Sequence, residues 1–141
     1  MEKWVVYALL SAVFAGCTSV IAKLGLAGIS GDMGLAVRTC FVFVLTLIFA
    51  AAVVPRSQFN ALSAQNLWWL GLSGVTTMLS WVFYYRAIKL GAVSTVALID
   101  KGSVVIAVLL AVLVLKEALT VGKLVGAALI ISGLIVIARS P

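Results

Sequence analysis

The chain has 141 residues, of which 65% are hydrophobic and 10% charged, whereas an ordinary soluble domain carries roughly 25% charged residues. Its mean hydropathy is +1.29, and a soluble domain this small buries too little of its surface to hide that much apolar material. A soluble globular enzyme, a disordered chain and a disulfide-built secreted module are therefore excluded. The sequence holds no His and 2 Cys, Cys17 and Cys40, too few ligands for a structural zinc site, which needs about four. The net charge is +6. Its bases stand singly between apolar runs, which fits membrane flanks better than a nucleic-acid surface.

A helix crossing a bilayer needs about 20 apolar residues. Five runs approach or meet that length, at 4–22, 35–54, 67–85, 93–115 and 121–138. They are continuously apolar rather than alternating, so helices are expected and barrel strands are not. In the first run, Phe14-Ala15-Gly16-Cys17 resembles a lipoprotein cleavage site. Apolar residues continue to Ala22 and Glu2 sits beside Lys3, which favours a first spanning helix. The connection 23–34 is glycine-rich and carries Asp32, and 55–66 is the most polar stretch. The connections 86–92 and 116–120 are tight turns. None is long enough to fold alone, so residues 1–141 are expected to form a single all-α transmembrane domain.

The charges do not choose an orientation. Lys3, Arg56, Lys116 and Lys123 fall on the side of the N-terminus, and Lys23, Arg86, Lys89 and Arg139 fall on the other. Cytoplasmic loops normally hold the basic excess, so this tie is compatible with insertion in both directions. Two oppositely inserted copies would form an inverted-repeat pair, an architecture common among secondary transporters.

Chemistry is expected where polar groups enter the apolar runs. Asp100 lies about 10 Å into the fourth run at 1.5 Å per residue, with Lys101 next to it. A charge near the bilayer centre costs roughly 2.5–3.5 kcal/mol on insertion scales. Neighbouring side chains diverge by about 100° round a helix, so the two are not expected to pair on one face. Arg38, on the second run, and Lys23 and Arg86, at helix ends on the same side, are the bases the topology brings to the level of Asp100. Asp100, Lys101 and Arg38 are the transport or coupling candidates; an interhelical ion pair that fixes packing is the structural alternative. Trp81, Ser80, Thr77 and Lys23 are candidates to line a cavity; aromatics near helix ends also suit interfacial belts, and snorkelling to the interface is the alternative for Lys23. Gly122 and Gly126 have a small-xxx-small spacing, and they join Gly71 and Gly74 as candidate helix-packing positions. Glu117, before the fifth run, suits the positive end of a helix dipole.

The segment Leu79-Ser80-Trp81-Val82-Phe83-Tyr84-Tyr85-Arg86-Ala87-Ile88-Lys89-Leu90-Gly91 resembles the end of the third helix in the EamA-domain family of the drug/metabolite transporter superfamily. Val96-Ala97-Leu98-Ile99-Asp100-Lys101, running on to Leu115-Lys116-Glu117, resembles the segment after it. Gly126-Ala127-Ala128-Leu129-Ile130-Ile131-Ser132-Gly133 resembles the fifth helix, and Phe14-Ala15 to Ala22-Lys23-Leu24-Gly25 the first. The order and spacing match almost end to end. Many relatives carry two such halves, mutually inverted, in one chain; this sequence resembles the single-domain, five-helix branch. Two-domain relatives often have Pro where Val104 stands, so their site details transfer poorly.

The resemblance implies half of an inverted-repeat ten-helix bundle. It also implies a secondary transporter, an exporter or a facilitator, of a small metabolite or drug-like solute, coupled to a proton or ion gradient. Expected partners are the lipid bilayer, a small-molecule substrate and a second copy of the chain, in an antiparallel homodimer on the dual-insertion reading. The expected location is the plasma (inner) membrane of a prokaryote-like cell. No cofactor, metal or nucleic acid is expected. Enzymatic activity is not expected either, since general acid–base work relies on His or paired carboxylates. The competing function is a non-transporting membrane subunit of a larger complex.

Overall fold

A computed structural model describes residues 2–139, and among these every regular element is an α-helix. In chain order they are α1 (Lys3–Gly25), α2 (Gly31–Val53), α3 (Arg56–Phe59), α4 (Ala64–Leu90), α5 (Val93–Asp100), α6 (Ser103–Val114) and α7 (Val121–Arg139). Four stretches are long and apolar enough to cross a membrane: α1, α2, α5 with α6 taken together, and α7. The helix covering the third apolar run, α4, has 27 residues and would be about 40 Å long at 1.5 Å per residue. It is less apolar than the others because Trp68, Trp69, Ser73, Thr76, Thr77 and Ser80 interrupt its aliphatic character.

The helix ends follow local chemistry rather than the limits of the apolar runs. Ser30 caps α2, its hydroxyl accepting from the Met33 N–H at 3.1 Å, and Asp32 stands in the first turn, where the helix dipole favours an anion. Pro55 stops α2, because the residue before a proline is pushed out of the helical region; Val54 is extended, at ψ 116°. Ser63 accepts from the Asn66 N–H at 3.2 Å, so α4 starts ahead of its apolar run. Within the spans, hydroxyls bond back along their own helix: Thr46 to Val42 O at 2.7 Å and Ser132 to Ala128 O at 2.8 Å. That satisfies them where no water is at hand.

The fourth apolar run is not one helix. The N–H groups of Lys101 and Gly102 bond three residues back, to Leu98 O at 3.1 Å and Ile99 O at 2.9 Å. The chain tightens into a 3₁₀-like turn there and resumes as α6. Such mid-helix tightening often marks a hinge.

The chain divides into two compact units, one running through Val20 and again from Gly91, the other Ile21–Leu90. The buried hydrophobic residues, Leu26, Leu35, Tyr85 and Ile88, all lie in the second unit. There the starting turn of α2 presses on the end of α4. A Cβ on Gly31 would lie 2.7 Å from the Tyr85 carbonyl oxygen, so glycine permits a backbone-to-backbone approach. Gly28, at φ 73°, reverses the chain between α1 and α2. In the other unit, α7 packs against α5 and α6. A Cβ on Gly102 would lie 2.9 Å from Leu134 Cδ1, so α7 comes close at the tightened turn. None of the residues in the most apolar window of each candidate span is buried by the protein itself. Apolar faces of that extent need a cover of lipid or protein.

Candidate functional site

Two lysines tie the helix ends of the Ile21–Leu90 unit together. The Lys23 ammonium donates to Ile88 O, and to Lys89 O at 3.3 Å. The Lys89 ammonium donates to Leu26 O at 2.9 Å. Each cation covers carbonyls at or just past the C-terminal end of the other helix, where helices leave acceptors unpaired and carry partial negative charge. Lys23 is therefore a bridge between α1 and α4.

Beside this knot, α2 and α4 part to leave an open groove of about 950 Å³. Thr77 and Trp81 line it, with Gly74 at a point where a side chain would meet nothing within 4 Å. Ser80 and Lys23 do not line it. The groove wall is mostly apolar, with Leu35, Phe43 and Met78 prominent. Two of the hydroxyls on it bond their own helix, Thr39 to Leu35 O and Thr77 to Ser73 O, both at 2.8 Å, and Ser73 adds a third. Charge enters at one end only. There Arg86 Nε meets Asp32 Oδ1 at 2.8 Å and Arg86 Nη2 meets Asp32 Oδ2 at 3.1 Å, a two-pronged guanidinium–carboxylate pair. Both side chains are about half exposed, at 56% each.

Arg38 stands behind the groove. Its guanidinium carbon lies 4.3 Å from the centre of the Trp81 ring and 5.8 Å from that of Tyr85, a cation–π geometry. Its Nη1 is buried and has no hydrogen-bond partner among the described residues. Trp81 thus faces the groove with one part and supports a cation with another.

In the other unit, Asp100 closes α5 and Lys101 follows in the turn. The expectation that they diverge too far to meet does not hold: Lys101 Nζ lies 3.8 Å from Asp100 Oδ2. The 3₁₀-like turn spreads neighbours to about 120°, so the contact depends on the long lysine stem folding back. At 3.8 Å the contact is an ion pair without a hydrogen bond, which leaves the carboxylate able to accept from another donor. The bases expected near Asp100 have other engagements: Lys23 on carbonyls, Arg86 on Asp32, and Arg38 over the aromatic rings. Glu117 pairs with Lys123 at 3.0 Å, next to the start of α7. Gly71, Gly122 and Gly126 have nothing within 4 Å of a notional Cβ, so their faces are open.

A sequence profile of the EamA-like transporter family matches residues 2–139. This chain belongs to that family. A Sinorhizobium sp. protein described as an uncharacterized transporter in cobO 3'region is similar to it, 36% identical over 137 residues that cover 97% of each chain. No solved structure matches the chain. Family and apolar helices together make this EamA-family chain an integral membrane protein of transporter type.

The Asp32–Arg86 pair is the feature that sequence reasoning passed over. Its signal was present: an acid at the start of one helix and a base at the end of another. What the sequence lacks is the adjacency of α2 and α4 that makes them partners.

Proposed function

We infer that this EamA-family protein is a secondary transporter that exports a small metabolite or drug-like solute, coupled to protons through Asp100, as a homodimer. The observation that carries the reading is the interruption of an otherwise apolar span at Asp100, Lys101 and Gly102. Discontinuous helices at membrane depth supply transporters with charged groups and unpaired backbone at the point where a solute or ion must pass. An ionisable residue inside such a span is by default a functional candidate. On this reading α4 is the fifth span, and five spans place the two termini on opposite sides. The tied basic residues then allow two copies to insert oppositely and complete an inverted-repeat bundle in the inner membrane of a prokaryote-like cell. Lys101, at 3.8 Å, is the ion-pair partner of Asp100, and the open faces at Gly122 and Gly126 receive the second copy.

Purified protein in proteoliposomes tests this. Solute efflux should accelerate when a pH gradient is imposed, and Asp100→Asn should abolish that acceleration while the protein still folds and cross-links as a dimer. Full gradient-driven flux by Asp100→Asn would remove the coupling role. Absence of flux for every solute class would leave the non-transporting subunit. Reporters fused to the C-terminus should be active on both sides of the membrane; a single orientation would defeat the antiparallel pair.

A further inference from the structure

The groove between α2 and α4 is long, apolar and charged at one end. From Asp32 to Phe43 its α2 wall runs for about 16 Å at 1.5 Å per residue. Its volume of about 950 Å³ lies at the upper end of the range for small-molecule sites, roughly 300–1,000 Å³. Because the Thr39 and Thr77 hydroxyls are spent on their own helices, the body of a ligand meets mostly apolar surface, with Ser73 as a further neutral hydroxyl on the wall. Only the Asp32–Arg86 pair offers a charged contact.

The sign of the charge at that end can be worked out. Asp32 is the single acid between residues 21 and 90, and the bases on its side are Lys23, Arg38, Arg86 and Lys89, Arg56 falling at the far end of α2. The α2 N-terminus adds partial positive charge there. The opposing negative end of α4 is covered by the Lys23 ammonium on Ile88 O and Lys89 O. An anion arriving at Arg86 therefore meets a positive field, and Asp32 is the only group that competes with it.

We propose that the α2–α4 groove binds an anionic amphiphile, its apolar tail lying along Leu35, Met78 and Trp81 and its anionic head taking the place of Asp32 on Arg86. The head is a carboxylate or phosphate, which the planar guanidinium fork grips with two parallel bonds. A free fatty-acid-like solute and an anionic phospholipid share this chemistry. The site deepens the transport reading by naming a ligand class, and it rests on that reading only for the ligand being carried across. Binding is measured without flux, so the two can fail separately.

Trp81 reports occupancy. In a variant with Trp4→Phe, Trp68→Phe and Trp69→Phe, placed in phosphatidylcholine nanodiscs, dodecanoate brominated at mid-chain should quench Trp81 far more strongly than its neutral methyl ester. Arg86→Gln should weaken dodecanoate binding by about tenfold or more, the effect of losing a hydrogen-bonded charge. Asp32→Asn should tighten it, because the competitor for Arg86 is gone, and this second variant keeps the test open should Arg86→Gln misfold. Replacing phosphatidylcholine with phosphatidylglycerol should abolish the dodecanoate signal if a lipid headgroup fills the site, and should leave it if the free acid does. The proposal is overturned if the methyl ester quenches as well as the acid. It also fails if both substitutions move affinity in the same direction, as a purely structural ion pair would require, or if the matching brominated trimethylammonium amphiphile binds better than the acid.

Discussion

Gly31→Ala tests the packing that sets up the groove. Gly31 is the first residue of α2 and is buried. A Cβ placed on it would lie 2.7 Å from Tyr85 O, 2.9 Å from Tyr85 C and 3.1 Å from Arg86 N. All three atoms are backbone, so no side chain can rotate out of the way. Ordinary van der Waals contact begins near 3.4 Å, and α2 must therefore move off α4 by roughly 0.7 Å. Two effects oppose each other. Alanine in a helix gains about 0.5–1 kcal/mol over glycine, and overpacking a close contact costs about 1–3 kcal/mol. With rigid backbone as the obstacle the second wins, for a net loss of about 1–2 kcal/mol. Asp32 follows Gly31 in the chain, so the displacement also lengthens the two bonds to Arg86. Thermal unfolding in detergent, followed by Trp fluorescence, should show a lower midpoint for Gly31→Ala, and bulkier Gly31→Val should lower it further. A midpoint equal to or above that of the wild type would refute the close approach of α2 to α4.

Other substitutions should behave differently. Gly126→Ile should leave the unfolding midpoint of the monomer near that of the wild type, since nothing lies within 4 Å of the position, but should reduce cross-linked dimer in native membranes if the α7 face meets a second copy. Lys89→Met removes the ammonium from Leu26 O; losing that charged bond should destabilise the protein by about 1 kcal/mol, seen as a lower midpoint, whereas Lys89→Arg should restore most of it. Lys116, two residues past the end of α6, has φ 55°, a left-handed conformation that costs a non-glycine residue of order 1 kcal/mol or more. Lys116→Gly should therefore raise the midpoint, and a fall would show that the Lys116 side chain makes a contact worth more than the strain.

Helices were legible because the bilayer imposes a length and forbids unpaired backbone, so each apolar run had one structural solution. What this constraint does not carry is neighbourhood. Trp81 could be read as a belt residue or a cavity residue, and its part beneath Arg38 depends on α2 lying against α4, which no periodicity in either helix specifies. The small-xxx-small glycines face open space, while Gly31, in no motif at all, meets the backbone of α4 closely. Spacing says where a helix could be approached; it does not say by what.

The fourth run shows the opposite limit, where local chemistry was visible and its consequence was not. Asp100, Lys101 and Gly102 stand together in the sequence, and an unbroken helix would send the two charges about 100° apart. In the structure Lys101 and Gly102 take bonds to the third residue back, which spreads neighbours to about 120°, and the lysine stem still folds back to within 3.8 Å of the carboxylate. The tightening leaves Gly102 as the only residue type that fits under Leu134 without a shift, since a Cβ there would meet the Leu134 methyl at 2.9 Å and Ile99 O at 3.1 Å. The turn and the α7 contact thus depend on the same glycine. α7 lies directly against the segment that carries Asp100 and Lys101.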